Sequence, residues 1–423
     1  MIFLFTLTLL FCVLNESTTS TQANNYSEHD WPMFQHDAAH TGTTNSSAQI
    51  IKPIIDWSFQ SDGSDPIIAG GILYFSSSRS LCALNASTGE TIWSTPNTSG
   101  NNLVIADGVL YSNRYNALNA STGVQLWNTT YYRPGALAVI NGYWYGNDQD
   151  AFLICRNAST GTEIWKSQTY SLSQCPAVVN DTIYFGGNGL EALDAYTGSR
   201  IWQTKIWGIN TGSPTVSLGC VYIGTSENIF YCVNASTGEH VWNFTSNGKI
   251  FSSPAVLGNY IYFGSMDGNL YALNASSGQK IWNYTCRSDY EDWGSGIRSA
   301  PSVADGVVYA LSNDGNLYAF DAYTGSKLWN YTLYLKLDRT INPQYIYGSP
   351  VISNGRIYIE PMFELIALKN DVSTITSTKT TPDFTLYVEG LLILGLSTIT
   401  IILFYRKQRK ATKHRFLKYT LFF

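Results

Sequence analysis

The chain has 423 residues, of which only 13% are charged and 14% are aromatic, with 29 Tyr and 12 Trp. Few charges and many aromatics exclude intrinsic disorder, and 35 glycines without a three-residue period exclude a collagen-like helix. A net charge of −5 argues against a nucleic-acid partner, which would need a basic face.

Residues 1–23 read as a signal peptide. The run from Met1 to Leu14 is apolar and has the length of a signal-peptide core, too short to span a bilayer. It lacks a basic start, and cleavage is expected in the Ser/Thr-rich stretch near residues 17–23. Phe11 precedes Cys12, where a lipoprotein signal wants a small residue. Residues 24–53 follow as a lead-in or capping segment.

A repeated unit then dominates the chain. It is clearest at residues 253–285, where short β-rich stretches such as Tyr260-Ile261-Tyr262-Phe263-Gly264 and Leu270-Tyr271-Ala272-Leu273-Asn274 are separated by the turn pairs Asp267-Gly268 and Ser277-Gly278. Each unit therefore predicts four antiparallel strands. A Thr-Gly or Ser-Gly pair with a following Trp recurs at Trp93, Trp127, Trp165, Trp202, Trp242, Trp282 and Trp329, spaced 34 to 47 residues apart. Four strands in about 40 residues is a propeller blade. Ile54–Phe59 is a lone strand at the start, and residues 348–369 supply three strands without a fourth. Pairing the first with Leu365–Leu368 closes a ring, which removes an open sheet edge. The expected fold is an all-β, eight-bladed β-propeller over residues 54–369, its last blade closed by the N-terminal strand. Pro176, Pro214, Pro254, Pro301 and Pro350 fall at the start of innermost strands, where a missing N–H is tolerated. A Trp repeated in every blade reads as packing between blades.

The unit Tyr-Phe-Gly-Ser-x-Asp-Gly-x-Leu-Tyr-Ala-Leu-Asn-Ala-x-x-Gly-x-x-x-Trp resembles the PQQ-type repeat. That family includes quinoprotein alcohol dehydrogenases and the outer-membrane-assembly propeller lipoprotein. The stretch Trp31 to Gly42 looks like the lead-in of secreted, often archaeal, propellers of this type. His36, Asp37 and His40 in it suit a metal by type and spacing; the competing reading is a cap with Trp31 and Phe34 packed on the ring. The resemblance also implies an enzymatic alternative, a PQQ- and calcium-dependent dehydrogenase. Such enzymes carry adjacent cysteines over the cofactor, whereas Cys12, Cys82, Cys155, Cys175, Cys220, Cys232 and Cys286 include no adjacent pair. Asp289, Glu291 and Asp292 are the acids that a cation would take. The sequence favours no catalytic residue, no metal and no cofactor. Six Cys remain after signal removal, permitting up to three disulfides outside the cell, although Cys82, Cys155 and Cys232 read as small core residues.

Thirteen Asn-x-Ser/Thr sequons lie outside the signal. Asn85, Asn119, Asn157, Asn234 and Asn274 occupy the turn between third and fourth strands, where Asp194 and Asp321 stand in two other blades. Asn suits such turns by itself, but the Ser two places on favours glycosylation. Asn180 belongs to the same face, and Asn128, Asn243, Asn283 and Asn330 follow the outer-strand Trp and point outward at the rim. The opposite face carries the links between blades and is expected to stay bare. Its candidate contact residues are Tyr131, Tyr132, Arg133, Trp207, Asp289, Tyr290, Glu291, Asp292, Trp293, Tyr334, Arg339 and Tyr345. Insertions in repeat folds often mark the binding face, and aromatics with a few charges suit protein or carbohydrate contact. Ordinary surface loops are the other reading.

Residues 370–383 hold seven Ser/Thr and read as a stalk. Residues 384–405 predict a transmembrane helix, since about 20 apolar residues span the ~30 Å hydrocarbon core; a buried core helix is the competing reading. Residues 406–423 carry seven bases and no acid, against a net of −10 over residues 24–383, as expected of a short cytoplasmic tail. The expectation is a single-pass cell-membrane glycoprotein with an extracellular propeller that binds a protein or glycan without catalysis.

Overall fold

The computed structural model describes residues 30–46, 50–61, 65–77, 79–98, 100, 102–114, 116–129, 137–148, 150, 152–169, 175–187, 189–209, 212–286, 296–333, 348–361 and 364–372. Every regular element among them is a strand. The expected signal peptide and transmembrane span lie outside the described residues, among which no helix is long and apolar enough to cross a membrane.

The strands form eight antiparallel blades. Blades one to seven cover residues 67–96, 103–128, 137–168, 177–204, 215–245, 255–285 and 302–332. Blade eight takes Val351–Ser353, Arg356–Ile359 and Glu364–Asn370 and receives Pro53–Gln60 as its outer strand. Phe59 pairs with Leu365 and Ile55 with Leu368, the closure expected from the sequence. The register is pinned by Asp56, which bonds Arg356 at 2.8 Å and Lys369 at 2.5 Å. Burial raises the Asp56 pKa, but these two cations outweigh it and hold the carboxyl below its ordinary value. Innermost strands touch their neighbours around the whole ring, and the blade-eight strand touches that of blade one.

Adjacent blades are joined by one repeated contact. In every blade but the seventh, the outer-strand Trp donates its indole N–H to the alanine carbonyl that follows the turn Asn or Asp of the next blade. Trp93 bonds Ala120 at 2.8 Å, Trp242 bonds Ala275 at 3.0 Å, and Trp282 bonds Ala322 at 2.9 Å. Trp57 bonds Ala86 of blade one at 3.2 Å, and Trp329 finds Ile50 at 2.6 Å where blade eight has no such turn. The turn glycine of the next blade lies flat on the same ring. A Cβ on Gly325 would come within 2.6 Å of the Trp282 ring, and its φ of +70° favours glycine independently. Second-strand tyrosines reinforce the joint, as when Tyr262 donates to Ala322 at 3.0 Å. The hydrophobic clusters accordingly straddle neighbouring blades, one of them joining Tyr262, Leu270 and Trp282 to Val308 and Phe320. Cys82, Cys155 and Cys232 are buried in these clusters as free thiols.

The lead-in does more than cap the ring. The outer edge of each innermost strand pairs with the second strand of its blade, so a segment bonded to its other edge lies on the axis. Residues 31–42 do this around most of the circle. Trp31 exchanges bonds of 2.7 and 2.8 Å with Ile68 of blade one, and Pro32 accepts from Ile105 of blade two at 2.9 Å. Ala38, Ala39, Thr41 and Gly42 then accept from Val178, Val216, Val256 and Val303 of blades four to seven at 2.7–2.8 Å. Thr43 and Thr44 continue as a short parallel strand on blade seven. The winding needs left-handed backbone at Gln35, His36 and His40, with φ of 55°, 74° and 59°.

Candidate binding face

Strands alternate in direction, so the turns after first and third strands share one face, and the second-to-third hairpins share the other with the blade links. On the turn face every sequon Asn of the third-to-fourth turn works as a turn residue. Its Oδ1 accepts the backbone N–H groups two and three residues on: 2.9 and 3.1 Å at Asn85, 2.9 and 3.0 Å at Asn234, and 3.1 and 3.0 Å at Asn274. Asp194 and Asp321 make the same bonds. The Thr197 hydroxyl and N–H hold the Asp194 carboxyl below its ordinary value, and the Thr324 N–H and hydroxyl do so for Asp321. The turn therefore consumes an oxygen and makes no demand on the amide nitrogen, the atom that would carry a sugar. Asn180 is exposed in a first-to-second turn, and Asn128, Asn243, Asn283 and Asn330 are exposed on outer strands.

On the link face several described acids are held by hairpin bonds. Asp267 accepts from Asn269 N at 2.9 Å and the Tyr271 hydroxyl at 2.7 Å, and Asp314 from the Tyr318 hydroxyl at 2.6 Å. Burial alone would raise Asp267, yet the bonds from Tyr271, Asn269 and Asn247 keep it below its ordinary value. Asp148 is tied to Lys166 at 3.0 Å. At the axial mouth on this side, Cys175 N–H donates to the Ser213 hydroxyl at 3.0 Å and Ser213 N–H to the Ser253 hydroxyl at 2.8 Å. Asp65 accepts from Ser349 N–H at 2.9 Å, and burial pushes its carboxyl up to about 6 against that bond.

Two of the three lead-in residues considered as metal ligands, Asp37 and His40, are engaged elsewhere. Asp37 accepts from Ala39 N and Thr41 N at 3.0 Å each and from the Thr41 hydroxyl at 2.5 Å. His40 is buried, with Nδ1 on the Pro214 carbonyl at 2.9 Å. Burial lowers its pKa to about 4, so it is neutral near pH 7. Among the described residues no group of three or more His, Cys, Asp or Glu is placed to hold a metal ion.

Of the expected contact residues only Trp207 is described. Tyr131, Tyr132, Arg133, Asp289, Tyr290, Glu291, Asp292, Trp293, Tyr334, Arg339 and Tyr345 lie outside the described residues. Trp207 is 76% exposed and forms a cleft of about 320 Å³ with Gly187, Gly189, Gln203, Lys205 and Gly208. Sequence reasoning missed Lys205 and the glycines. The signal for the glycines was Gly186-Gly187-Asn188-Gly189, which stands where blade six has Asp267-Gly268.

A closed ring of eight four-stranded blades with Trp-to-alanine joints defines a PQQ-repeat propeller. A family model described as outer membrane protein assembly factor BamB matches residues 36–141, 61–167, 116–206 and 186–360, and the chain belongs to this family. No curated protein matches the chain in sequence. Solved structures share the fold at low identity. A europium-containing methanol dehydrogenase aligns with TM-score 0.67 and 13% identity over 82% of this chain and 99% of its own. The quinohemoprotein alcohol dehydrogenase ADHIIG of Pseudomonas putida HK5 aligns with TM-score 0.61 and 13% identity over 81% and 80%. BamB of Moraxella catarrhalis aligns with TM-score 0.52 and 16% identity over 75% and 100%. The same ring thus serves enzymes and an assembly factor, and at these identities the likeness carries the fold alone.

Proposed function

We propose that this chain is a membrane-anchored glycoprotein whose propeller is displayed outside the cell and binds a protein or glycan through its link face, without catalysis. One observation carries the reading. In five third-to-fourth turns the first residue is Asn and the residue two places on is Ser; in two it is Asp, and the residue two places on is Tyr196 or Tyr323. Both versions fold into the same hydrogen-bonded turn. The turn itself therefore does not require Ser there, whereas transfer of a sugar to Asn does. Sugars on that face and at the rim leave the link face as the accessible one. The apolar run and basic tail at the C-terminus supply the anchor.

Three features of the described residues argue against a quinone cofactor. Pyrroloquinoline quinone is a tricarboxylate, so a site for it needs cationic or hydrogen-bond-donating partners. Here the lead-in backbone takes the axis beside the innermost strands. On the link side Asp65 and the Ser213–Ser253 pair are held by neighbouring backbone, Arg298 lies over the Phe251 ring, and Asp267 and Asp314 are committed to their hairpins. Titrating the full chain in detergent micelles with the quinone and Ca²⁺, followed by a dye-linked alcohol oxidation assay, is expected to give neither saturable heat nor turnover. Micromolar binding with turnover overturns the non-catalytic reading.

A further inference from the structure

We propose that the cleft beside Trp207 binds a carboxylated pyranose, a sugar of the uronic-acid type. This assignment rests on the non-catalytic binding reading and names its ligand. The cleft lies on the link face, between the second-to-third hairpin of blade four and the link into blade five. Its volume of about 320 Å³ sits at the small end of the roughly 300–1,000 Å³ typical of small-molecule sites, the size of one or two sugar rings.

The aromatic wall is the first argument. Trp202, five residues earlier, is 9% exposed and joins two blades, whereas Trp207 is 76% exposed. An indole carries a large apolar face that is usually covered. Beneath it Ile206 and Ile209 are 4% and 6% exposed, so the chain on either side of Trp207 is anchored while its ring stands out. The C–H face of a pyranose matches such a ring. The second argument is the opposite wall. A Cβ on Gly187 would come within 2.3 Å of the Thr169 carbonyl oxygen, and one on Gly189 within 2.3 Å of that of Thr204. Glycine is forced at both positions, and the wall is backbone that a ligand can approach closely.

The third argument is charge. Glu191, 1% exposed behind this wall, is bonded by Arg200 at 3.2 Å and by the Gln203 amide at 3.3 Å. That acid is neutralised, and Gln203 is oriented by it. Lys205 is exposed at the cleft with no carboxylate within ion-pair distance among the described residues, while Glu227, which packs on Gly208 at the cleft's edge, is engaged by the Ser226 hydroxyl at 3.5 Å. A free ammonium beside an open indole selects a sugar that bears a carboxylate.

The test is calorimetric titration of the full chain in a zwitterionic detergent, free of sugar headgroups, with methyl glucuronide and with neutral methyl glucoside. The expected result is saturable millimolar binding of the glucuronide, roughly fivefold tighter than the glucoside, as befits one exposed charge contact. Trp207→Ala is expected to abolish binding of both sugars. Lys205→Gln is expected to equalise them. Neither is expected to shift the thermal midpoint, because both side chains are exposed. No binding of either sugar, or binding that survives Trp207→Ala, overturns the assignment. If the quinone assay is also silent, the failure belongs to this ligand and leaves the binding reading standing; quinone-supported turnover instead removes that reading.

Discussion

Replacing Trp282 by alanine is expected to cost the ring about 3–5 kcal/mol, read as a drop in the denaturant midpoint. Burial, a hydrogen bond and a ring contact vanish together. The indole is 9% exposed, donates to Ala322 at 2.9 Å, and lies against Tyr262 with ring centroids 5.7 Å apart. The Ala322 carbonyl keeps only the Tyr262 hydroxyl, and the cluster between blades six and seven opens toward the rim. Because each blade touches only its neighbours, amide exchange should quicken first in these two blades. Ile281→Ser on the same strand is the comparison. That side chain is 42% exposed, and its loss should stay within about 0.5 kcal/mol. Equal effects of the two variants would remove the joint from the account.

Trp31→Ala is expected to cost a similar ~3–5 kcal/mol, although Trp31 precedes every blade. It is 2% exposed and packs with Ile50, Ile68 and Leu73 in a cluster that also holds blade-eight residues. Its backbone begins the axial path through the ring. His36→Ala should cost less than about 1 kcal/mol, since the imidazole is only partly covered and touches Trp31 edge-on with centroids 5.1 Å apart. A chelator should shift neither midpoint. If His36→Ala matched Trp31→Ala, or if a chelator destabilised the chain, the lead-in would be a metal site rather than an axial strap.

What the sequence made legible follows from what repeats. The Trp and Thr-Gly spacing marked seven outer strands, and the unpaired Ile54–Phe59 stretch demanded a partner that only Leu365–Leu368 could provide. The indole-to-carbonyl joint was half legible: the Trp was visible as packing, while its acceptor is backbone, for which Ala86, Ala120 and Ala322 are only positions. The axial path of residues 31–42 was not legible as such. Its bonds to blades one, two and four to seven run through main-chain N–H and C=O groups, which any side chains could accompany. His36, Asp37 and His40 suited a metal by type and spacing against the reading as a packed cap, and here Asp37 and His40 hold a tight loop. The Trp207 cleft was legible by one residue. Gly187, Gly189 and Lys205 join it only because the blade-four hairpin and the blade-five link meet on one face.

The proposed function requires a propeller with one sugar-covered face and one bare, binding face. Glycopeptide mass spectrometry on the natively expressed chain is the test. Occupancy is expected at Asn85, Asn119, Asn157, Asn234 and Asn274, at Asn180, and at the rim positions Asn128, Asn243, Asn283 and Asn330. Asn97, in the link that follows Thr91–Pro96, should be the poorly occupied comparison. Unmodified sequons throughout, or heavy occupancy confined to the links between blades, would contradict both the display outside the cell and the assignment of the binding face.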